Sequence, residues 1–199
     1  MNFVKEPHTA IFSGPTGCGK TQLLLDMIEA DYKGHFDNII ILCPTIKWNV
    51  TYLKRSWVWK DEYVFIYNTS NLCDLIANLS SVFSGEETLF ILDDCITNTE
   101  LDKTRSALLN LAISGRHRKH SVWMLTQRYN KIPLTVRDQL KQLFIWFPKN
   151  KKEFELVLDE NFIIDSKEEI ARLKQYLKDT KHGCLFLRME HPRGYELIN

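Results

Sequence analysis

The amino-acid sequence predicts an α/β fold, a mainly parallel sheet flanked by helices. Two observations carry this. Short apolar runs alternate with helical patterns along the chain. Most of those runs are continuously apolar rather than alternating, the signature of strands buried on both faces. The 199 residues suit one domain that can bury a sizeable core. A hydrophobic share of 44% excludes a disordered chain.

Thr9 to Ser13 is the first predicted strand, and Gly14 to Gly19 is a turn. Lys20 to Ala30 follows as a helix, because Leu23, Leu24, Met27 and Ile28 fall at helical spacing. Asn38 to Cys43 is the second strand, ended by Pro44, and Tyr63 to Tyr67 is the third. Leu72 to Phe83 reads as a helix, Thr88 to Leu92 as a strand and Leu101 to Ile113 as a helix. Two further strands are Ser121 to Thr126 and Gln142 to Phe147, the latter closed by Pro148. Helices at Lys151 to Leu158 and Lys167 to Lys178 lead to a last strand, Gly183 to Met189. The tryptophan-rich segment Trp48 to Trp59 fits no element and stays open as an insertion, a partner surface or core packing. With no repeat or linker, residues 1–199 form one domain, its core about 9–147 and a C-terminal extension about 148–199.

A net charge of +1 rules out a polybasic coat, but the charge is uneven. From Gly115 to Lys152 there are ten Lys or Arg against the single acid Asp138, which predicts one basic face for a polyanion. The five cysteines are odd in number and lack CxxC spacing, so a disulfide framework or zinc site is not expected. Cys43, Cys95 and Cys184 read as core residues. Cys18 lies near a helix start that favours a thiolate, yet reads as a passive loop residue. Met1 to Ala10 has no long apolar core, and the longest apolar stretches are too short to span a bilayer. A soluble, intracellular protein without membrane contact is expected.

Gly14-Pro15-Thr16-Gly17-Cys18-Gly19-Lys20-Thr21 matches the phosphate-cradling pattern G-x-x-x-x-G-K-[ST]. Glycines let the loop close on phosphates, its amides point inward, and the next helix offers its positive end. Lys20 is expected to neutralise the β- and γ-phosphates of ATP, and Thr21 to ligate Mg2+. The motif has its required context, a strand before and an amphipathic helix after. Leu89 to Leu92 is an apolar run ending in Asp93, which suits the second metal acid. Asp94 is placed to orient or deprotonate a water, and Gln127, at the end of the next strand, to sense the γ-phosphate. An acid pair at a strand end also caps turns, so that reading stands beside the catalytic one.

Ser114-Gly115-Arg116-His117 and Ser121 to Arg128 resemble the FtsK–HerA superfamily of ring-shaped DNA pumps. The Asp93-Asp94 pair and Ile132 to Arg137 resemble its viral branch, the genome-packaging ATPases of poxviruses, other large DNA viruses, virophages and Polinton-like or adinto-type elements. The similarity spans Thr9 to Phe147. It implies a RecA-like P-loop core, ATP as fuel, and a homo-oligomeric ring around double-stranded DNA, gripped without sequence preference. It further implies service at a capsid or portal vertex, at viral assembly sites in the host cytoplasm or nucleus, or in the virion. Arg116 matches the arginine that reaches a neighbouring subunit's ATP, with Arg105, Arg118, Arg128 and Arg137 as competitors. Many relatives outside the viral branch carry Glu where Asp94 stands. His117 and His120 read as polar surface residues. A small nucleotide or nucleoside kinase is the runner-up, though no arginine-rich lid is visible. A nucleotide-gated binding module is the third class.

Overall fold

A central sheet of eight strands runs in the order β3-β2-β4-β5-β1-β6-β7-β8. The computed structural model describes residues 3–68, 72–95, 101–161 and 166–199, the side chains of 101–105 and 151 excepted. The strands are β1 (Thr9–Ser13), β2 (Asn38–Leu42), β3 (Val64–Tyr67), β4 (Thr88–Asp93), β5 (His120–Thr126), β6 (Leu140–Trp146), β7 (Cys184–Arg188) and β8 (Gly194–Ile198). Strands β1 to β6 are mutually parallel; β7 and β8 are antiparallel additions beyond β6. Every residue of β1, β2, β4 and β5 is buried, which is why their middles are continuously apolar, with polar residues kept to the strand ends.

The helices are α1 (Lys20–Glu29), α2 (Val50–Leu53), α3 (Ser56–Lys60), α4 (Leu72–Val82), α5 (Leu101–Arg118), α6 (Leu134–Arg137), α7 (Lys151–Asn161) and α8 (Lys167–Asp179). They divide between two cores. On one face Leu24 and Ile28 of α1, with Tyr52 and Val58, pack on Phe12, Trp123 and Phe144. On the other, Ile76, Leu108, Phe154 and Leu173 of α4, α5, α7 and α8 pack on Ile11, Phe90 and Leu143. Among the described residues no helix is long and apolar enough to cross a membrane.

Four expectations change. Helix α5 continues past Ile113 to Arg118, so the Ser114-to-His117 block is its last turn and not a loop. Gly115 makes this possible: a Cβ there would lie 2.9 Å from the His120 carbonyl oxygen, so the helix end sits directly on β5. His120 is buried rather than a surface residue. Its ring faces the Ser80 hydroxyl at 3.3 Å and the Phe83 carbonyl at 3.0 Å, and burial lowers its pKa. The polar edge strand β8 was not foreseen, because one partner and an exposed face leave it no apolar run.

The basic run does not form one face. Arg116 and Lys119 lie beside the start of β5, whereas Arg128 follows its far end. Arg137 pairs with Glu160, Lys141 pairs with Glu190 at 2.5 Å, and Arg118 donates to Ser80. The chain's alternation between sheet ends disperses charges that are contiguous in sequence.

Gly115→Ala is expected to lose about 1–3 kcal/mol by overpacking, despite alanine's better helix propensity. Thermal unfolding checks this; a midpoint at or above wild type would show that the close approach does not constrain the fold.

Candidate nucleotide site

The site lies at the carboxyl ends of the parallel strands, where open α/β sheets place their ligands. The loop after β1 is held to β5 by the Gly14 amide, which donates to the Thr126 carbonyl at 3.1 Å. Gly14 has no room for a side chain: a Cβ would lie 2.7 Å from Trp146 Cβ and 2.8 Å from Cys18 Sγ. Gly19 takes φ of 111° as the residue before α1, a conformation side chains disfavour. No side chain caps α1, and its first turn carries no acid. No carboxylate or capping oxygen therefore answers the positive end of its dipole, the arrangement that seats an anion.

Lys20 is buried, its ammonium donating to the Gly14 and Pro15 carbonyls at 2.8 and 3.1 Å. The Thr21 hydroxyl donates to Asp93 Oδ2 at 3.2 Å, bringing together the two side chains expected to share a metal. Asp94 is exposed, with φ of 50°, and its amide donates to the Leu125 carbonyl at 3.3 Å. Such a left-handed turn stores strain at functional sites. It aims Asp94 at β5, where the Gln127 amide donates to Asp94 Oδ2 at 3.5 Å. A cavity of about 470 Å3 runs from Thr16 and Gly17 past Lys20 and Thr21 to Asp93 and Asp94.

Asp93 is raised from the ordinary carboxylate range to about 6, first by burial and then by the neighbouring Asp94 charge. Tyr52, Thr21 and Lys20 pull the other way. Cys18 is buried, and that burial outweighs Lys20 and raises its thiol, so the loop cysteine is no thiolate. Cys43, Cys95 and Cys184 are buried and free, as expected of core residues.

The structure thus brings together Gly14 to Thr21, Asp93, Asp94 and Gln127, and leaves Arg116 apart. Arg116 is exposed at the end of α5, lining a smaller cavity with Pro7, Ile113 and Gln139 at the opposite end of the strands. The length of β5, roughly 20 Å, separates it from its own acid pair. Arg128 alone among its described competitors lies at the carboxyl end of β5; Arg137 is held by Glu160 and the Tyr129 ring. The Arg105 side chain falls outside the described residues.

Three neighbours had no sequence signal. Trp146 backs the loop, and its indole donates to the His182 carbonyl at 3.0 Å. His182 places Nδ1 3.2 Å from the Cys18 carbonyl. Tyr52 buries its ring beneath Asp93. Each is contributed from far along the chain, where no local pattern marks it.

Residues 1–185 match the family model described as Poxvirus A32 protein. The chain belongs to the poxvirus A32 protein family. Among solved structures this A32 family member is similar to B204, the DNA-packaging ATPase from Sulfolobus Turreted Icosahedral Virus. The TM-score is 0.72, with 12% identity over 98% of each chain. It is also similar to the genome packaging NTPase B204 of Sulfolobus turreted icosahedral virus 2 in complex with ATP-gammaS, at TM-score 0.68 and 14% identity over 97% of each chain. The pCW3 conjugation coupling protein TcpA aligns with 96% of this chain and 60% of its own, at TM-score 0.63 and 12% identity. No curated protein matches the sequence. At these identities the likeness establishes the fold, a RecA-like P-loop core with a mostly parallel sheet.

The raised pKa of Asp93 has a consequence for stability in this A32 family member. Folded, the group holds its proton up to about pH 6; its unperturbed value is 3.8. Its favourable contribution is therefore complete below 3.8 and lost as pH rises through about 6. Asp93→Asn, which mimics the protonated acid, is expected to stabilise the metal-free chain by roughly 2 kcal/mol near neutral pH. The gain should vanish in acid, below about pH 4. Denaturant unfolding at the two pH values checks this; equal stability at neutral pH would show that the buried charge costs nothing.

Proposed function

We propose that this chain is an ATP-hydrolysing motor that translocates double-stranded DNA into a viral capsid. The observation that carries the reading is the convergence, at the carboxyl ends of the central strands, of an anion-seating loop, the Thr21–Asp93 pair and the Asp94–Gln127 pair. Membership of the A32 family, with the likeness to packaging ATPases, supports the viral setting.

The loop amides and the start of α1 bind the triphosphate, and Lys20 exchanges its two carbonyl partners for the β- and γ-phosphates. Thr21 and Asp93 fit Mg2+: the described residues hold no cluster of three or more His, Cys, Asp or Glu, and Mg2+ is commonly held by one carboxylate, substrate phosphates and water. Bound there, Mg2+ supplies charge neutralisation to the phosphates. Asp94 and Gln127 orient a water on the γ-phosphorus, and Asp94 accepts its proton as the bond to ADP breaks. Among the described residues no arginine lines this cavity, so the lid of a nucleoside kinase has no counterpart.

Arg116 acts in trans on this reading. It lies a strand length from its own acids and makes no ion pair among the described residues, so only a second copy's site is within reach. Copies repeating one such head-to-tail contact close into a ring when the rotation permits. DNA is gripped through its phosphates without sequence preference, and the ring works at a capsid or portal vertex, at assembly sites in the host cytoplasm or nucleus or within the virion.

Phosphate release from ATP should rise with long double-stranded DNA and disappear in Lys20→Ala; release indifferent to DNA would leave an ATPase without the packaging role. Arg116→Ala should slow hydrolysis by at least about 100-fold while keeping nucleotide affinity. Mixing it with Lys20→Ala chains should restore part of the rate, since each supplies what the other lacks. Full activity of Arg116→Ala alone would remove the finger assignment.

A further inference from the structure

Within the segment Trp48 to Trp59 one tyrosine is buried behind the nucleotide cavity. Tyr52 on α2 is fully buried, while its neighbours Val50 and Thr51 line the nucleotide cavity. Its hydroxyl is shielded from solvent, and no described atom completes a hydrogen bond with it. A buried hydroxyl without a partner is costly, and persists where function uses it. The group beside it is Asp93, whose carboxylate lies within the reach of the phenol and lines the same cavity as Val50 and Thr51.

Asp93 divides its two oxygens. Oδ2 accepts from Thr21, and among the described residues Oδ1 takes no hydrogen bond of its own. A phenol that donates to the remaining oxygen would fix the plane of the carboxylate. Supporting hydrogen bonds of this kind orient carboxylate ligands. The lever is held from behind. Arg55 bridges Asp26 and Glu29 of α1 at 2.5 and 2.7 Å, the Trp57 indole donates to Glu29 at 2.7 Å, and the Trp59 indole donates to the Tyr52 carbonyl at 3.0 Å. The α2–α3 segment is therefore fastened to the same helix whose first turn carries Lys20 and Thr21.

We infer that Tyr52 is a positioning residue for the metal site, its hydroxyl closing onto the Asp93 carboxylate when Thr21 and Asp93 hold Mg2+. This rests on the proposed Mg2+–nucleotide site but not on DNA translocation, and it assigns the tryptophan-rich segment to that site.

The test is equilibrium binding of a fluorescent, non-hydrolysable ATP analogue as Mg2+ is titrated, in wild type, Tyr52→Phe and Tyr32→Phe. Tyr32 is the control, a buried tyrosine on the same face whose hydroxyl donates instead to the Val4 carbonyl at 2.6 Å. Tyr52→Phe should raise the half-saturating Mg2+ concentration about 10-fold, with analogue affinity in EDTA unchanged and a metal-free melting temperature no lower than wild type, because the hydroxyl it removes has no partner there. Tyr32→Phe should lower the melting temperature and leave the Mg2+ dependence alone. A Tyr52→Phe half-saturation within about twofold of wild type overturns the inference. Wild-type binding that ignores Mg2+ would remove the metal site itself, and the role of Tyr52 with it.

Discussion

A carboxylate buried at the end of a central strand is the constraint around which this molecule is arranged. Protein atoms alone answer the Asp93 charge poorly. Thr21 gives one hydrogen bond, Asp94 repels from the next position, and the Lys20 ammonium is engaged by loop carbonyls. Such a charge is tolerable only in a scaffold that cannot relax around it. Strand β4 supplies that scaffold, paired on both sides by β2 and β5 and covered on both faces. The fold thus gives up stability locally to keep an acid beside the glycine-rich loop. The left-handed turn at Asp94 belongs to the same economy, since it directs a second carboxylate toward the neighbouring strand while the first points to α1.

Features set by short stretches of chain were legible in the sequence. The loop from Gly14 to Thr21 declares itself because its glycines, lysine and threonine are consecutive. The buried strands declare themselves because both faces must be apolar. Asp93, Asp94 and Gln127 followed from ending such strands. What depends on distant partners was hidden. Gly115 looks like a helix stop until β5 is seen lying against it, and His120 looks polar until Ser80 and Phe83 enclose it. The run of basic residues looked like one face because a sequence does not display that consecutive elements exchange ends of the sheet.

The Trp48-to-Trp59 segment shows why aromatic content alone did not reveal a role. Its tryptophans serve different purposes: Trp48 is largely exposed at the cavity, Trp57 and Trp59 tie their indoles to Glu29 and Tyr52. The decisive atom is a tyrosine hydroxyl, identifiable only once Asp93 is found beside it. Composition singled out the segment, and three-dimensional placement sorted its members.

Trp146 has a consequence for how the chain tolerates change. Its Cβ occupies the space that Gly14 leaves open, while its indole grips the His182 carbonyl between α8 and β7. The rear wall of the phosphate loop is therefore made from residues more than a hundred positions away, and α8, β7 and that loop form one continuous truss. A shift in the register of β7 against β6 would be felt at the first glycine of the cradle. A region without a recognisable motif is thereby bound to the pace of change of the motif itself.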